Sequence, residues 1–136
     1  MRKVVIPGLV VAMLVSGVGM AQAKRPLEDV TSITDGLLWI GIADEIRNTC
    51  PSISARMFRA LNRINGIQNE AEALGYSKEE IDRFRKSDAN KAELRRRGEA
   101  YLTANGVTLG DSDTYCTLGR AEIAKSSQIG TLLRAN

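Results

Sequence analysis

The sequence predicts an all-α fold: a compact bundle of four to six short helices over residues 27–134, mostly antiparallel neighbours, with one long-range disulfide. Three observations predict it. Apolar residues recur at spacings of three and four along most of the chain, no run of alternating β-branched residues bounded by turns occurs, and the two cysteines stand far apart. At 136 residues, 43% apolar and 26% charged, the chain has the size and composition of one ordinary globular domain.

Residues 1–23 read as a cleaved signal peptide and 24–136 as a single helical domain. Arg2 and Lys3 give a positive start, Val4 to Met20 carry no charge, and Ala21-Gln22-Ala23 supplies a small-x-small exit. Pro7, Gly8, Gly17 and Gly19 weaken the apolar run as a membrane-spanning helix. The expected location is periplasmic or secreted, with no membrane span after cleavage. Cleavage removes two bases and no acid, so the formal charge falls from +3 to +1. A near-neutral chain has no general pull toward phosphates, and no nucleic-acid partner is expected.

The first helix carries Trp39, Ala43, Ile46 and Cys50 on one stripe, with Leu38 and Ile42 beside it. Thr34 or Asp35 is its candidate cap, although the apolar pattern reaches back toward Pro26 and Leu27. Pro51 ends it, because the residue before a proline is pushed out of helical geometry.

The second helix has the most regular period: Ile53, Met57, Ala60, Ile64, Ile67, Ala71 and Leu74 follow spacings of four and three without a miss. Phe58 and Leu61 widen the stripe, Ser52 is a candidate cap and Gly75 a stop. This row is expected to form the central buried stripe, with Gly66 allowing a close helix approach. A coiled-coil dimer seam is the rival reading, and three heptads are near its lower limit.

Ser77 and Glu80 have capping-box spacing, and Tyr76 with Ile81 has hydrophobic-staple spacing. Ile81 and Phe84 are expected to face the core, with a break and new cap at Ser87 or Asp88. The fourth helix runs through Leu94, Gly98, Tyr101 and Leu102 to a stop at Asn105-Gly106. Asp111-Ser112-Asp113 opens the last helical region, with Cys116, Gly119 and Ile123 on one face, and Ile129, Leu132 and Leu133 extend it or form a final turn.

Cys50 and Cys116 are the only thiols, and export places them where disulfides persist. They are expected to bond. The 65 intervening residues make a long loop, whose closure is worth roughly 4 kcal/mol in chain entropy. A redox couple would use a C-x-x-C turn, which the sequence lacks.

Arg95-Arg96-Arg97 fans around a helix rather than forming one face. Glu93 with Arg97 and Arg95 with Glu99 have the spacing of ordinary surface pairs. The chain contains no His, which removes the commonest general base and the commonest metal ligand. Nucleophile, P-loop and dinucleotide motifs are missing too. No catalytic, cofactor-binding or metal-ligating residue is assigned, and no cofactor is expected. Carboxylates are the remaining chemistry: Glu70 with Glu72, Asp111 with Asp113, and Glu122. Acids two apart on a helix point away from each other, and Asp-x-Asp ahead of a helix is a common cap.

Several pieces read together: Cys50-Pro51-Ser52-Ile53, Gly75-Tyr76-Ser77, Gly98-Glu99-Ala100-Tyr101-Leu102 running toward Gly106, Tyr115-Cys116, Gly119-Arg120-Ala121-Glu122-Ile123, Ile129-Gly130 and Leu132-Leu133-Arg134. In these the chain resembles a family of small, signal-peptide-bearing alphaproteobacterial proteins that carries only a domain-of-unknown-function label. The resemblance covers nearly the whole mature chain and implies no activity. Every motif has a structural explanation, so the expected function is that of an exported non-catalytic binding or accessory protein: an adaptor, inhibitor or chaperone-like protein. Its expected partner is another exported or envelope protein. The alternative is a carboxylate-dependent hydrolase acting on cell-wall glycan. Nothing in the residues selects an oligomeric state.

Overall fold

The computed structural model describes residues 24–136; the signal-peptide assignment, 1–23, lies outside them. Five helices carry the fold: α1 (Thr31–Thr49), α2 (Met57–Ala73), α3 (Lys78–Lys86), α4 (Asp88–Ala104) and α5 (Ser112–Ala124). Short 3-10 turns, Leu27–Asp29 and Gly130–Leu132, flank them. A two-stranded antiparallel sheet joins β1 (Ile53–Ala55) to β2 (Leu133–Ala135), with Ser54 opposite Arg134. The all-α bundle and its disulfide are as the periodicity and cysteine spacing predict: Cys50 and Cys116 are bonded, with Cα atoms 5.1 Å apart.

The central helix is α1, not α2. Leu38, Ile42 and Ile46 are buried on one face and Ile33, Gly36 and Ala43 on the others, so burial goes around the circumference because α1 packs on α2, α4 and α5 at once. It begins one turn earlier than Thr34 or Asp35 would place it, with Val30 at the cap. Thr34 is instead a buried helical residue whose hydroxyl donates to the Val30 carbonyl.

The row from Ile53 to Leu74 is divided. Ile53 sits in β1, buried against α5 at Gly119, where a Cβ would run into the Ile53 and Ile46 side chains. Helix α2 therefore starts at Met57 with Arg56 as its cap. The hydroxyl of Ser52, the expected cap, accepts from Arg120 at 3.0 Å instead. Only Ile67 and Ala71 of α2 are fully buried. Gly66 meets nothing, whereas Gly36 of α1 is the glycine that lets α2 close in, with Ile67 filling the space.

Local signals hold well elsewhere. Ser77 and Glu80 form the reciprocal capping box. Ser87 ends α3 and caps α4, and Asp111 caps α5. Gly75 and Gly106 take the left-handed backbone that stops α2 and α4. Tyr76, Ile81 and Phe84 pack into a second apolar cluster with Leu27, Ile33 and Ile67. Lys24 bonds the Gly75 carbonyl and the Glu80 carboxylate, both at 2.8 Å, fastening the first described residues to the start of α3.

The charged segment pairs differently from its spacing. Arg96 takes Glu93 at 2.7 Å, and Arg97 reaches across to Asp35 of α1 at 2.5 Å. Arg95 and Glu99 form no ion pair with one another. Asp35 meets Arg97, and four residues further on in both helices Trp39 meets Tyr101 edge to face, so α1 and α4 run side by side in the same direction.

Candidate functional site

The apolar arc of α2 is wider than α1 can cover. Ala60, Ile67 and Ala71 form the edge turned to α1, while Met57, Phe58, Leu61 and Ile64 lie on the other edge. Phe58 is 86% exposed, Met57 55%, Leu61 50% and Ile64 42%. Scattered exposed apolar residues are normal, but four within two turns of one helix make a contiguous patch of the kind that marks an interaction surface.

The patch leads into a groove. Ile64 also lines an apolar cavity of about 210 Å³ between α1, α2 and α3, with Leu37, Ile67, Ile81 and Phe84 as its walls. Lys78, Asp82 and Arg85 stand at its α3 side. Asp82 is engaged by Lys86 and Arg85, whose hydrogen bonds and charge hold its carboxyl below the ordinary range.

The electrostatics around the patch are one-sided. From Ile46 to Asn69 the chain has no Asp or Glu, while Arg56 and Arg59 flank Met57 and Phe58. Arg56 donates to the Leu133 carbonyl at 2.9 Å and Arg59 to the Thr131 carbonyl at 3.4 Å. These bonds seat the guanidinium groups against the C-terminal segment, with no carboxylate neutralising them among the described residues. Arg120 and the exposed Arg134 stand at the neighbouring sheet.

The carboxylates singled out from the sequence do not converge. Glu70 accepts from Ser32 at 2.5 Å and Glu72 from Gln68 at 3.2 Å. Asp111 caps α5, and Asp113 lies in the first turn of that helix. Glu122 is fully buried and has a complete shell: Tyr101 donates at 2.7 Å, Lys125 approaches at 3.1 Å, and Ser127 donates to the other oxygen. Burial pushes its pKa up, but the hydrogen bonds from Ser127, Tyr101 and Lys125 outweigh it and hold the group below the ordinary carboxylate value. Burial and the Glu122 carboxylate push the Tyr101 phenol up to about 12. Gly130 folds over this network so closely that a Cβ there would fall on the Glu122 backbone carbonyl. The arrangement holds the C-terminal segment in place and leaves no open face for a substrate.

Among the described residues, no three Cys, Asp or Glu side chains gather where they could hold a metal ion, and no helix is long and apolar enough to cross a membrane. Periodicity identified every residue of the α2 patch but assigned the patch to the core. The missed signal is the unbroken absence of acids beside it, which marks a rim of one charge.

A family model described as a family of unknown function (DUF5333) matches residues 25–134. No curated protein and no solved structure matches the chain.

Proposed function

The chain belongs to that family of unknown function, and from its geometry we propose that it is an exported, non-catalytic binding protein. On this reading, the outer face of α2 docks an apolar surface with an acidic rim on another exported or envelope protein. The observation that carries this is the row Met57–Phe58–Leu61–Ile64, exposed beside Arg56 and Arg59, which have no carboxylate partner among the described residues. Aromatic and arginine side chains are the residues that most often anchor interfaces. The disulfide suits an oxidising compartment, and residues 1–23 have the pattern of an export signal.

A carboxylate-dependent hydrolase of cell-wall glycan has less support. Glu70 and Glu72 lie on α2 with separate partners, Asp111 and Asp113 serve the start of α5, and Glu122 is enclosed.

The test is photo-crosslinking from position 58 of the oxidised protein in an envelope extract, followed by identification of the adduct. A protein partner with an acidic contact surface is expected, with capture weakened by salt and lost in a Leu61→Asp variant of unchanged melting midpoint. Adducts only with a second copy, binding to anionic vesicles without a protein, or full capture by Leu61→Asp would overturn the proposal.

A further inference from the structure

The half-open cavity between α1, α2 and α3 reaches into the core. Ile33, Ile67 and Ala71 on its wall are each at most 5% exposed, and Leu37, Ile81 and Phe84 close its flanks. Protein interiors pack as densely as organic crystals, so a gap here forfeits contacts along its whole lining. The aliphatic inner wall offers water no hydrogen-bond partner and suits an apolar guest.

Volume and length agree on the size of that guest. A cavity of about 150 Å³ takes benzene, so one of about 210 Å³ takes roughly eight carbons. The walls follow α2 from Ile64 to Ala71 and α3 from Lys78 to Arg85, about 10 Å in each helix at 1.5 Å per residue. Carbon–carbon bonds of about 1.5 Å advance an extended alkyl chain by ~1.3 Å each, so eight carbons span roughly 9 Å.

The rim favours an anion. Asp82 already holds Arg85 at 3.1 Å and Lys86 at 2.7 Å, whereas Lys78 lines the cavity with no carboxylate partner among the described residues. The Tyr76 N–H bonds the Ala71 carbonyl at 3.1 Å, which keeps the start of α3, and Lys78 with it, at the Ala71 end of the walls.

We propose that this cavity binds a free medium-chain fatty acid of about eight carbons. Its alkyl chain lies against Ile67, Ile81 and Phe84, and its carboxylate meets Lys78 at the rim. A neutral chain of the same length would leave Lys78 unpaired, and the longer chains of a bilayer lipid would overrun the walls. The site shares only Ile64 with the exposed row on α2 and does not rest on the docking of a protein there.

The probe is sodium octanoate, titrated at millimolar concentration into the oxidised protein and followed by amide NMR shifts. Hexanoate, decanoate, octanol and anionic phospholipid vesicles are run beside it. Shifts are expected at residues 33–37, 64–71 and 78–85. A fully buried methylene is worth about fourfold in affinity, so octanoate should bind about tenfold more tightly than hexanoate. The step to decanoate should be smaller, because the walls end. K78Q should weaken octanoate about three- to fivefold, the scale of an exposed ion pair, and leave octanol unchanged. A71L should fill the gap and abolish binding, with I81F as the second filling variant; the chain-length series itself needs no variant. No binding of octanoate, shifts confined to residues 57–61, or an equal further gain with decanoate would overturn the proposal. So would K78Q without effect on octanoate, or binding to the vesicles alone.

Discussion

The hydroxyl of Tyr101 on α4 donates at 2.7 Å to the carboxylate of Glu122 on α5, a side chain fully enclosed by the bundle. With Ser127 and Lys125 on the same carboxylate, the pair joins two helices to the turn that leads into β2. A buried charge is tolerable only with such a shell.

Removing that carboxylate orphans the donors around it. Glu122→Ala should destabilise the protein by about 3 kcal/mol or more, as breaking a buried ionic network does. Glu122→Gln, which keeps an acceptor, should cost less. Urea melts of both variants beside the wild type check the order.

The same group sets a pH dependence. Its folded pKa lies below the ordinary 4.5, so the unfolded chain takes up this proton more readily. Its contribution is complete above about pH 4.5 and is lost as pH falls through the folded value. Stability measured between about pH 3 and pH 7 should rise less steeply in Glu122→Gln than in wild type over the acid limb. An identical limb would show that other carboxylates carry it.

Cys50 and Cys116 close a loop of 66 residues. The Cys50→Ser, Cys116→Ser double variant should lose about 2–4 kcal/mol, which for a domain of this size lowers the midpoint by well over 8 °C. Helical circular dichroism below the new midpoint should be retained. An unchanged midpoint would defeat the structural role of the bond.

Phe58→Ser should leave the melting midpoint nearly unchanged, within about 0.5 kcal/mol, because the ring is 86% exposed. The reading of the second helix as the buried centre requires a loss of several kcal/mol instead. Thermal melts separate the two, and capture by the same variant tests the docking face.

Two glycines should respond with opposite signs. Gly66 lies in a helix with open space around it, so Gly66→Ala should stabilise by about 0.4–1 kcal/mol. At Gly119 a Cβ would meet Ile46 Cγ2 at 2.8 Å and collide with Ile53. Gly119→Ala should therefore cost about 1–3 kcal/mol through overpacking. Denaturant midpoints of the two variants decide it.

The amino-acid sequence by itself determined the class of fold, the helix boundaries set by local chemistry, and the cysteine pair. Ser77 with Glu80, Ser87, Asp111, Gly75 and Gly106 act through groups a few residues away, so their roles are legible in one dimension. With two cysteines in the chain, Cys50 had one possible intramolecular partner.

Only the tertiary structure decided which helix is central and which face is left open. A three-four period says that one side of a helix is apolar, not what covers it. The period from Ile53 to Leu74 is the most regular in the chain, yet α1 sits in the middle because its apolar residues surround it and three helices pack on it. Ile53 kept the count while belonging to a strand, since its partner Ala135 lies 82 residues away. Packing between distant segments depends on which apolar surfaces find each other first and most fully, and no local spacing records that choice.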